Sequence, residues 1–320
     1  MTISTAVSAP IIAVVGATGA QGGSVIRALS ESNKAYRIRG FTRNITKASA
    51  QALTAQGVEM VAVNLVVENR HNVYSAFVGA DYAFLVTNFW EHADKQKEIA
   101  EGKLLIDAAK AAGVKGIIFS GLTAVEKLSK GKYTKVFHFD GKAEVAEYGR
   151  ASGVPFVDVQ AGFYNDNFLS EGLQLVTKNS DGTFILSSVI KPSAVIPLID
   201  VEKDYGLYVC QVLEAPIFPD GSVVYARSED LSMEEVARQL SEGLSKTVTY
   251  QQITYEEATQ SLTKRGFPEI TAIDIVEGFL FFSEFGYYGR YPAFSAEGLG
   301  RPPSRFSDFV KAADWSKVFL

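Results

Sequence analysis

The sequence has little of what stabilises small secreted proteins or anchors a chain in a bilayer. Its 320 residues include a single cysteine, Cys210, which excludes a disulfide within the chain and indicates a reducing compartment. The first ten residues carry neither a basic segment nor an apolar core, so we expect no signal peptide. Since no apolar run approaches the length of a membrane span, we expect a cytoplasmic protein without membrane contacts.

An excess of positive charge is absent as well. The chain has 31 lysines and arginines against 36 aspartates and glutamates, so it lacks the footprint of direct nucleic-acid binding. Only three histidines occur, and no His, Cys and carboxylate residues have the spacing of metal ligands, so we predict no metal site. A hydrophobic content of 47% in a chain of this length predicts an ordinary globular protein with two lobes.

Strand-like and helix-like segments alternate through the first half of the chain. This alternation predicts an α/β fold with a doubly wound parallel sheet and helices on both faces. The longest helical pattern runs from about residue 91 to 112. The predicted strands are residues 11–15, 36–42, 58–63, 82–87, 116–120 and 155–159.

The pattern loosens after residue 162 and changes again near residue 228. One more strand at 195–199 and a helix at 201–213 predict a return to the first lobe, and Ser232 and Thr254 each open a segment that resembles a capping box. We therefore predict a nucleotide-binding domain of residues 1–163, joined by 194–227. Residues 164–193 and 228–320 would form a smaller, mostly helical lobe for a substrate or partner.

A glycine-rich turn near the amino end is the most informative motif. Gly16, Gly19 and Gly22 follow a short apolar run and precede a helix-like stretch. In such a turn the first glycine permits the bend, the second lets the backbone approach a pyrophosphate, and the third lets the helix pack on the strand. The amino end of that helix then faces the anion. This predicts a dinucleotide site formed by Gly16, Ala17, Thr18, Gly19, Ala20, Gln21 and Gly22.

The residues after the second strand indicate which dinucleotide is bound. A carboxylate that would bind a ribose 2′-hydroxyl is missing there, and Arg43, Asn44 and Lys47 stand in its place. A guanidinium group can bind a 2′-phosphate, so NADP(H) is predicted, although the same residues also suit a solvated basic helix start. Asn64, after the third strand, is either an adenine contact or a turn residue.

Several motifs together resemble the NmrA-like family of atypical short-chain dehydrogenases, and within it the branch of NADP(H) redox sensors. The resemblance runs in order from about residue 11 to 169 and is weaker beyond it. The segments that carry it are residues 16–23, 42–44, 86–91, 101–105, 119–122, 138–142 and 162–168.

The resemblance implies a Rossmann fold and a set of cofactor contacts beyond the glycine turn. It assigns the adenosine phosphate to residues 43–47 and the adenine to Asn64 and Leu65. It further implies contacts to the centre of the cofactor, to the nicotinamide ribose and to the nicotinamide end. These are expected from Thr87, Asn88 and Phe89, from Lys142, and from Tyr164, Asn165, Asp166 and Asn167.

The usual catalytic Tyr-x-x-x-Lys pair is incomplete in this sequence, which leaves two interpretations of the site. The lysine is Lys142, but His138 occupies the tyrosine position, and Tyr133 lies too far along the chain to replace it. Either the site binds the cofactor without reducing anything, or Lys142 or His138 transfers the proton. A further interpretation of His138 is a capping or hydrogen-bonded structural residue.

An aromatic segment from residue 279 to 294 suggests a pocket beside the nicotinamide. Tyr287, Tyr288 and Tyr291 lie among glycines and, with Trp90 and Tyr164, are predicted to contact a flat apolar substrate; alternatively they form a protein interface. We therefore predict an NADPH-dependent reductase of a small apolar or aromatic carbonyl, enone or quinone. The alternative is a non-catalytic redox sensor or transcriptional co-regulator that acts through a protein partner, with a homodimer and a nuclear location as options.

Overall fold

The computed structural model describes residues 3–289 and 296–318. Within these ranges the strands are β1 (Ile11–Val14), β2 (Arg37–Thr42), β3 (Glu59–Ala62), β4 (Tyr82–Leu85), β5 (Gly116–Phe119), β6 (Phe156–Ala161), β7 (Phe163–Tyr164), β8 (Val176–Lys178), β9 (Phe184–Ser188), β10 (Val195–Ile199), β11 (Val223–Ala226), β12 (Glu229–Ser232) and β13 (Val248–Gln252). The helices are α1 (Ala20–Glu31), α2 (Ala48–Ala55), α3 (Arg70–Phe77), α4 (Lys95–Ala111), α5 (Val125–Leu128), α6 (Phe137–Arg150), α7 (Val201–Glu214), α8 (Met233–Leu244), α9 (Tyr255–Lys264), α10 (Glu269–Phe285) and α11 (Phe306–Ala312).

Seven parallel strands form the central sheet, in the order β11-β6-β5-β4-β1-β2-β3. The strands β1, β5 and β6 are buried along their whole length, as parallel strands between two helix layers must be. The predicted doubly wound α/β fold is confirmed. Because β1 is followed by β2 on one side and the chain later returns to β4 on the other, the strand order reverses between β1 and β4. Ligands bind such sheets at this switch point.

The six strands predicted in the first half are all present, with ends that differ by at most two residues. The long helix, by contrast, begins at Lys95 rather than near residue 91. Ala93 has a φ of 50°, which no α-helix accommodates, and Asp94 Oδ1 accepts the N–H groups of Gln96 and Lys97. The helix therefore begins only after this cap.

Two helix layers cover the sheet, and the tightest helix contact joins α1 and α7 on one face. The N–H of Gly206 in α7 donates to Ser24 Oγ in α1 at 2.9 Å. A Cβ atom at Gly206 would lie 2.0 Å from the carbonyl oxygen of Ser24, so the two backbones touch. On the opposite face, α4 and α6 pack together and bury apolar side chains such as Leu105 and Val145.

The described part of the second lobe contains the helices α8 to α11, of which α8 and α9 begin at the predicted capping residues, and also strands that, apart from β10, the periodicity did not predict. Two three-stranded sheets are present, in the orders β12-β10-β7 and β13-β9-β8. The capping box at Thr254 is formed in full, whereas Ser232 caps α8 through its own side chain only. In agreement with a return to the first lobe, α7 packs on α1 and β11 pairs with β6, but β10 joins the second lobe's strands. The domain bounds stay a prediction.

The described part of the chain offers neither a membrane span nor a metal site. Among residues 3–289 and 296–318, no helix is both long and apolar enough to cross a bilayer. The same ranges contain no group of three His, Cys, Asp or Glu side chains that could hold a metal ion. Burial raises the pKa of the Cys210 thiol to about 12, which makes it a poor nucleophile.

The contact between α1 and α7 predicts that Gly206 tolerates no side chain. We expect Gly206→Ala to lower the free energy of unfolding by about 3 kcal/mol, because the added methyl forces two packed helices apart. Urea denaturation measures this change. Gly23→Ala is the matched control, since a Cβ there meets nothing closer than 3.8 Å. An unfolding midpoint as low for Gly23→Ala as for Gly206→Ala would show that the helix contact is not responsible.

Candidate functional site

A cavity of about 810 Å³ opens at the switch point, beyond the carboxyl ends of the central strands. It lies where the sheet topology predicts a ligand, and most of the residues that the sequence assigned to a cofactor line it. These are Gly16, Thr18, Gly19, Ala20, Gln21, Gly22, Arg43, Asn44, Lys47, Asn64, Leu65, Thr87, Asn88, Phe89, Lys142, Tyr164 and Asn167.

The glycine turn forms one end of the cavity. Gly16 has a φ of 66°, and its carbonyl oxygen accepts the N–H of Gly19 at 2.9 Å. A Cβ atom at Gly22 would lie 2.1 Å from the same oxygen, so α1 rests directly on the turn. No side chain caps the amino end of α1. Its first N–H groups and positive dipole end are therefore available to an anion.

Three predicted cofactor residues lie outside the cavity lining. Ala17 is fully buried and its Cβ packs against Gly40 on β2. Asn165 is also fully buried, and its amide group faces the backbone of Ile199 and Asp200. Asp166 is exposed on the 3₁₀ turn that follows β7. The structure therefore gives these side chains packing or surface positions, while their neighbours Tyr164 and Asn167 face the cavity.

An ion pair crosses the opposite, outer end of the cavity. Arg43 Nη1 lies 2.5 Å from Glu91 Oε1, and the two side chains are 66% and 36% exposed. Asn44 Oδ1 accepts the N–H of Thr46 at 2.8 Å, so this amide shapes the turn that precedes α2. Lys47 lies beside them on the cavity wall. Glu91 was not assigned from the sequence, because its partner lies 48 residues away.

Lys142 is held by a buried network. Its Nζ donates to the carbonyl oxygen and Oγ1 of Thr87, at 2.8 and 2.7 Å, and to Glu98 Oε1 at 2.7 Å. The side chains of Lys142 and Glu98 are 12% and 2% exposed. All three N–H bonds of the ammonium group are thus committed to protein acceptors. Its charge is compensated within the cavity wall, and it positions Thr87 at the end of β4.

His138 is bound by a carboxylate from the second lobe. The ring Nδ1 is hydrogen-bonded to Asp274 Oδ1, and the backbone N–H of His138 donates to Asp274 Oδ2 at 3.2 Å. Asp274 lies on α10 and its side chain is 1% exposed. The ring lies 4.9 Å from the ring of Trp90, and it lines the cavity. Asp274 was not assigned from the sequence, because 136 residues separate it from His138.

Aromatic and aliphatic side chains form the floor of the cavity. Of the residues predicted to contact substrate, Trp90, Tyr164 and Tyr287 line it. Tyr288 faces a second cavity of about 280 Å³, and Tyr291 lies outside the described residues. Tyr287 and Tyr288 are 6% and 4% exposed, so neither offers a surface for a protein partner. Other residues of the floor, not assigned from the sequence, are Leu173, Phe267, Ile275, Phe279 and Phe282.

The tyrosines near the site are poor substitutes for the missing catalytic tyrosine. Tyr164 Oη accepts Gln21 Nε2–H at 2.6 Å, and burial raises the pKa of Tyr164 to about 12. Burial raises the pKa of Tyr287 further above its usual value. Tyr133 is buried against Phe285 and does not line the cavity. A proton donor works best when its pKa lies near the working pH, so these phenols fit that role badly.

Comparison with known proteins places this architecture in a family. The model of the NmrA-like family matches residues 9–315. The chain belongs to the NmrA-like family. An NmrA-like family domain-containing oxidoreductase, cpsB of Aspergillus campestris, is 31% identical over 84% of this chain and 82% of its own length. The nitrogen metabolite repression protein nmrA of Emericella nidulans is 30% identical over 91% and 80%.

Solved structures agree with this assignment. Crystal structures of NmrA, a negative transcriptional regulator, in complex with NAD and with NADP superpose with TM-scores of 0.75 and 0.74. Both are 26% identical to this chain, and they cover 96% and 95% of it and 99% and 95% of their own chains. The family thus includes nicotinamide dinucleotide binders, with members named as oxidoreductases and a member named as a regulator.

The buried network around Lys142 predicts a large cost for neutralising Glu98. We expect Glu98→Gln to lower the free energy of unfolding by about 3 kcal/mol, because the ammonium group stays buried without its counter-charge. Thermal or urea denaturation measures this. Glu144→Gln is the matched control: Glu144 pairs with Lys95 across the same two helices, and its side chain is 49% exposed. An equal loss of unfolding free energy in the two variants would mean that burial does not determine how strongly Lys142 and Glu98 stabilise the fold.

Proposed function

We propose that this protein binds NADP(H) in the large cavity and uses NADPH to reduce a small, flat, apolar or aromatic carbonyl, enone or quinone-type compound. The observation that carries the proposal is the arrangement of the cavity wall. A glycine turn with free helix N–H groups lies at one end and an arginine at the other. Between them, an aromatic floor adjoins His138. The glycine turn and the arginine suit the two phosphate groups of a dinucleotide, and the aromatic floor suits a flat substrate beside it.

The residues present fit the pyrophosphate of such a cofactor. A Cβ at Gly19 would lie 3.3 Å from the carbonyl oxygen of Gly16, so the absence of a side chain keeps the backbone open to an approaching phosphate. Thr18, Ala20 and Gln21 line the same end. The Gln21–Tyr164 hydrogen bond places a polar pair between this end and the floor.

The preference for NADP(H) over NAD(H) rests on Arg43. It is largely exposed, and its present partner Glu91 is a surface carboxylate, so the ion pair between them is weak. A 2′-phosphate carries more negative charge than a carboxylate and suits the planar guanidinium group. We infer that the phosphate displaces Glu91 from Arg43, with Lys47 as a second cation nearby.

The chemistry assigned to the cavity combines hydride and proton transfer. When bound, the reduced cofactor supplies a hydride to an electrophilic carbon of the substrate. His138 is our candidate for the proton donor, since it lines the cavity and the nearby phenols are unsuited. Lys142, the lysine of the incomplete Tyr-x-x-x-Lys pair, places a positive charge in the cavity wall and holds Thr87 through two hydrogen bonds. The floor around Phe279 and Phe282 selects a flat apolar body.

A redox sensor without turnover is the second candidate function. It is favoured by the commitment of all three Lys142 donors and by the missing tyrosine. The relative named nitrogen metabolite repression protein supports it as well. In that case the bound cofactor would alter the affinity for a regulatory protein partner or for a second copy of the chain. Such a ligand acts only through its different affinity for two conformations.

Cofactor preference is tested at Arg43. We expect Arg43→Ala to weaken NADPH binding about tenfold or more, which is the loss of a charged hydrogen bond, and to leave NADH binding within about twofold. Glu91→Gln should have the opposite effect and strengthen NADPH binding, because it removes the competing carboxylate. Calorimetric titrations at low and high salt measure both. Equal affinity of the unaltered protein for NADPH and NADH would contradict the assignment.

Turnover separates a reductase from a sensor. We expect NADPH absorbance to fall with at least one member of a panel of quinones, enones, aromatic aldehydes and imines. The double change Lys142→Met and Glu98→Gln removes a whole buried ion pair and releases Thr87; it should lower turnover with only a modest loss of NADPH affinity. Lys95→Met with Glu144→Gln removes a matched pair between the same helices and should leave the rate unchanged.

The opposite result favours the sensor. It would be no consumption of NADPH over hours with any compound, together with a cofactor-dependent change in oligomer size or in protease cleavage near residues 164–167 or 286–289.

A further inference from the structure

The contact between His138 and Asp274 joins the two lobes at the cavity. His138 lies in the first turn of α6, and Asp274 lies near the amino end of α10. One carboxylate binds both the ring Nδ1 and the backbone N–H of the same histidine. Its side chain is 1% exposed, and it makes no contact with the cavity. Asp274 therefore fixes the position and the orientation of the ring, and it does not itself contact a ligand in the cavity.

This orientation leaves one ring nitrogen for the cavity. Because Asp274 binds Nδ1, the nitrogen that remains is Nε2, for which the described residues provide no hydrogen-bond partner. Aromatic rings hold the imidazole on two sides: the ring of Trp90 lies 4.9 Å away and that of Phe139 4.7 Å away. On the side of α10, a Cβ at Gly278 would lie 3.7 Å from the imidazole Cε1, so a larger side chain there would crowd the ring.

We propose that His138 and Asp274 form the proton-delivering pair of the reductase, with His138 as the group that contacts substrate and Asp274 as the positioning residue. This inference rests on the function proposed above. In this pair, a histidine takes the place of the absent tyrosine, and a buried carboxylate sets its tautomer and orientation. Such an arrangement is effective because the carboxylate stabilises the ring when the ring is protonated.

With a carbonyl substrate, the carbonyl carbon would gain a C–H bond from the hydride that NADPH supplies, so that the substrate is reduced and the dinucleotide is oxidised to NADP. The π electron pair of the C=O bond moves to the oxygen. That oxygen takes the proton from Nε2 and becomes a hydroxyl group. The ring is left neutral, with its remaining proton on Nδ1 toward Asp274, and regains a proton at Nε2 from water. The negative charge of Asp274 is unchanged throughout.

The charged groups on the elements around His138 determine the direction of the pH effect. On α10 these are Asp274 and, one turn later, Glu277, which accepts the N–H of Lys135 at 3.0 Å. On α6 it is Lys142, whose charge is compensated by Glu98 on α4. On the 3₁₀ turn Phe89–Glu91, which follows β4, it is Glu91, which is paired with Arg43. Asp274 is the carboxylate that touches the ring, so it is the group that favours the protonated form.

The experiment compares Asp274→Asn with Glu277→Gln in NADPH-dependent turnover across pH. Asparagine retains the size of Asp274 and an oxygen for the His138 backbone, but not the charge. We expect kcat to fall by about 100-fold, the lower range for general acid–base catalysis, with KM changed less than threefold. The alkaline limb of the kcat profile should move to lower pH, because the protonated ring has lost its counter-charge. Glu277→Gln removes a carboxylate from the same helix and should change neither.

A second measurement reports on the ring itself. Nitrogen-15 NMR of the imidazole, assigned by comparison with His138→Phe, should show the neutral ring protonated at Nδ1 in the unaltered protein. In Asp274→Asn this preference should be lost. Circular dichroism and NADPH titration check that each variant is folded and binds the cofactor. An Nε2-protonated neutral ring in the unaltered protein would overturn the pair even if Asp274→Asn failed to fold.

The outcomes distinguish this inference from the function on which it rests. If no compound oxidises NADPH, the reductase itself is refuted, and proton delivery with it. If turnover is found but Asp274→Asn has the rate and pH profile of Glu277→Gln, the reductase stands and the pair is refuted. A fall in kcat with an unchanged pH profile also overturns the pair, because loss of structure alone accounts for it.

Discussion

The close approach of α1 to the turn after β1 is the constraint on which the site depends. The carbonyl oxygen of Gly16 lies where a side chain at Gly22 would be, so the first turn of α1 rests on the turn without an intervening atom. Gly206 lets α7 lie equally close to α1 at Ser24. Held between these two contacts, α1 points its uncapped amino end at the switch point, and the rest of the cavity is built around that end.

Much of the first lobe could be predicted because its signals are local. The strands β1 to β6 are short apolar runs bounded by turn residues. In the second lobe, the cap at Thr254 is equally local, since it needs only the side chain of Glu257, three residues away. In the sheets β12-β10-β7 and β13-β9-β8, β10 has such a signal and was predicted as a strand, but its partners and the other sheet were not. Their strands are short, and most of their pairings join distant segments, for example Val248 beside Phe184. Pairing of this kind is decided by tertiary packing rather than by local sequence.

The same distinction applies to the site. The glycine turn and Arg43 follow strands, so their positions could be inferred from the element order. Thr87 and Lys142 were expected from the resemblance to the NmrA-like family. The partners of these residues, Glu91 and Glu98, belong to other segments, as does Asp274, the partner of His138. An acidic residue on an amphipathic helix is normally solvated, so sequence offers no reason to single it out. The partners of these carboxylates could be identified only from the three-dimensional structure.

One helix, α10, contributes both to the floor of the cavity and to the contact with His138. Ile275, Phe279 and Phe282 lie on the face that closes the cavity. Asp274, Glu277 and Glu284 lie on another face and bind the segment before and at the start of α6, through His138, Lys135 and Lys132. A shift of α10 would therefore move the cavity floor and the imidazole together, and the lobes cannot separate without releasing His138.

The charges of the cavity wall narrow the chemistry that this chain can perform. Lys142 is neutralised by Glu98 and has no N–H left for a ligand, and burial makes the nearby phenols reluctant to ionise. His138 lines the cavity, and its Nε2 has no hydrogen-bond partner among the described residues. A reductase and a sensor can share every other feature of this site. What separates them is whether a substrate atom can reach that nitrogen while the cofactor occupies the rest of the cavity.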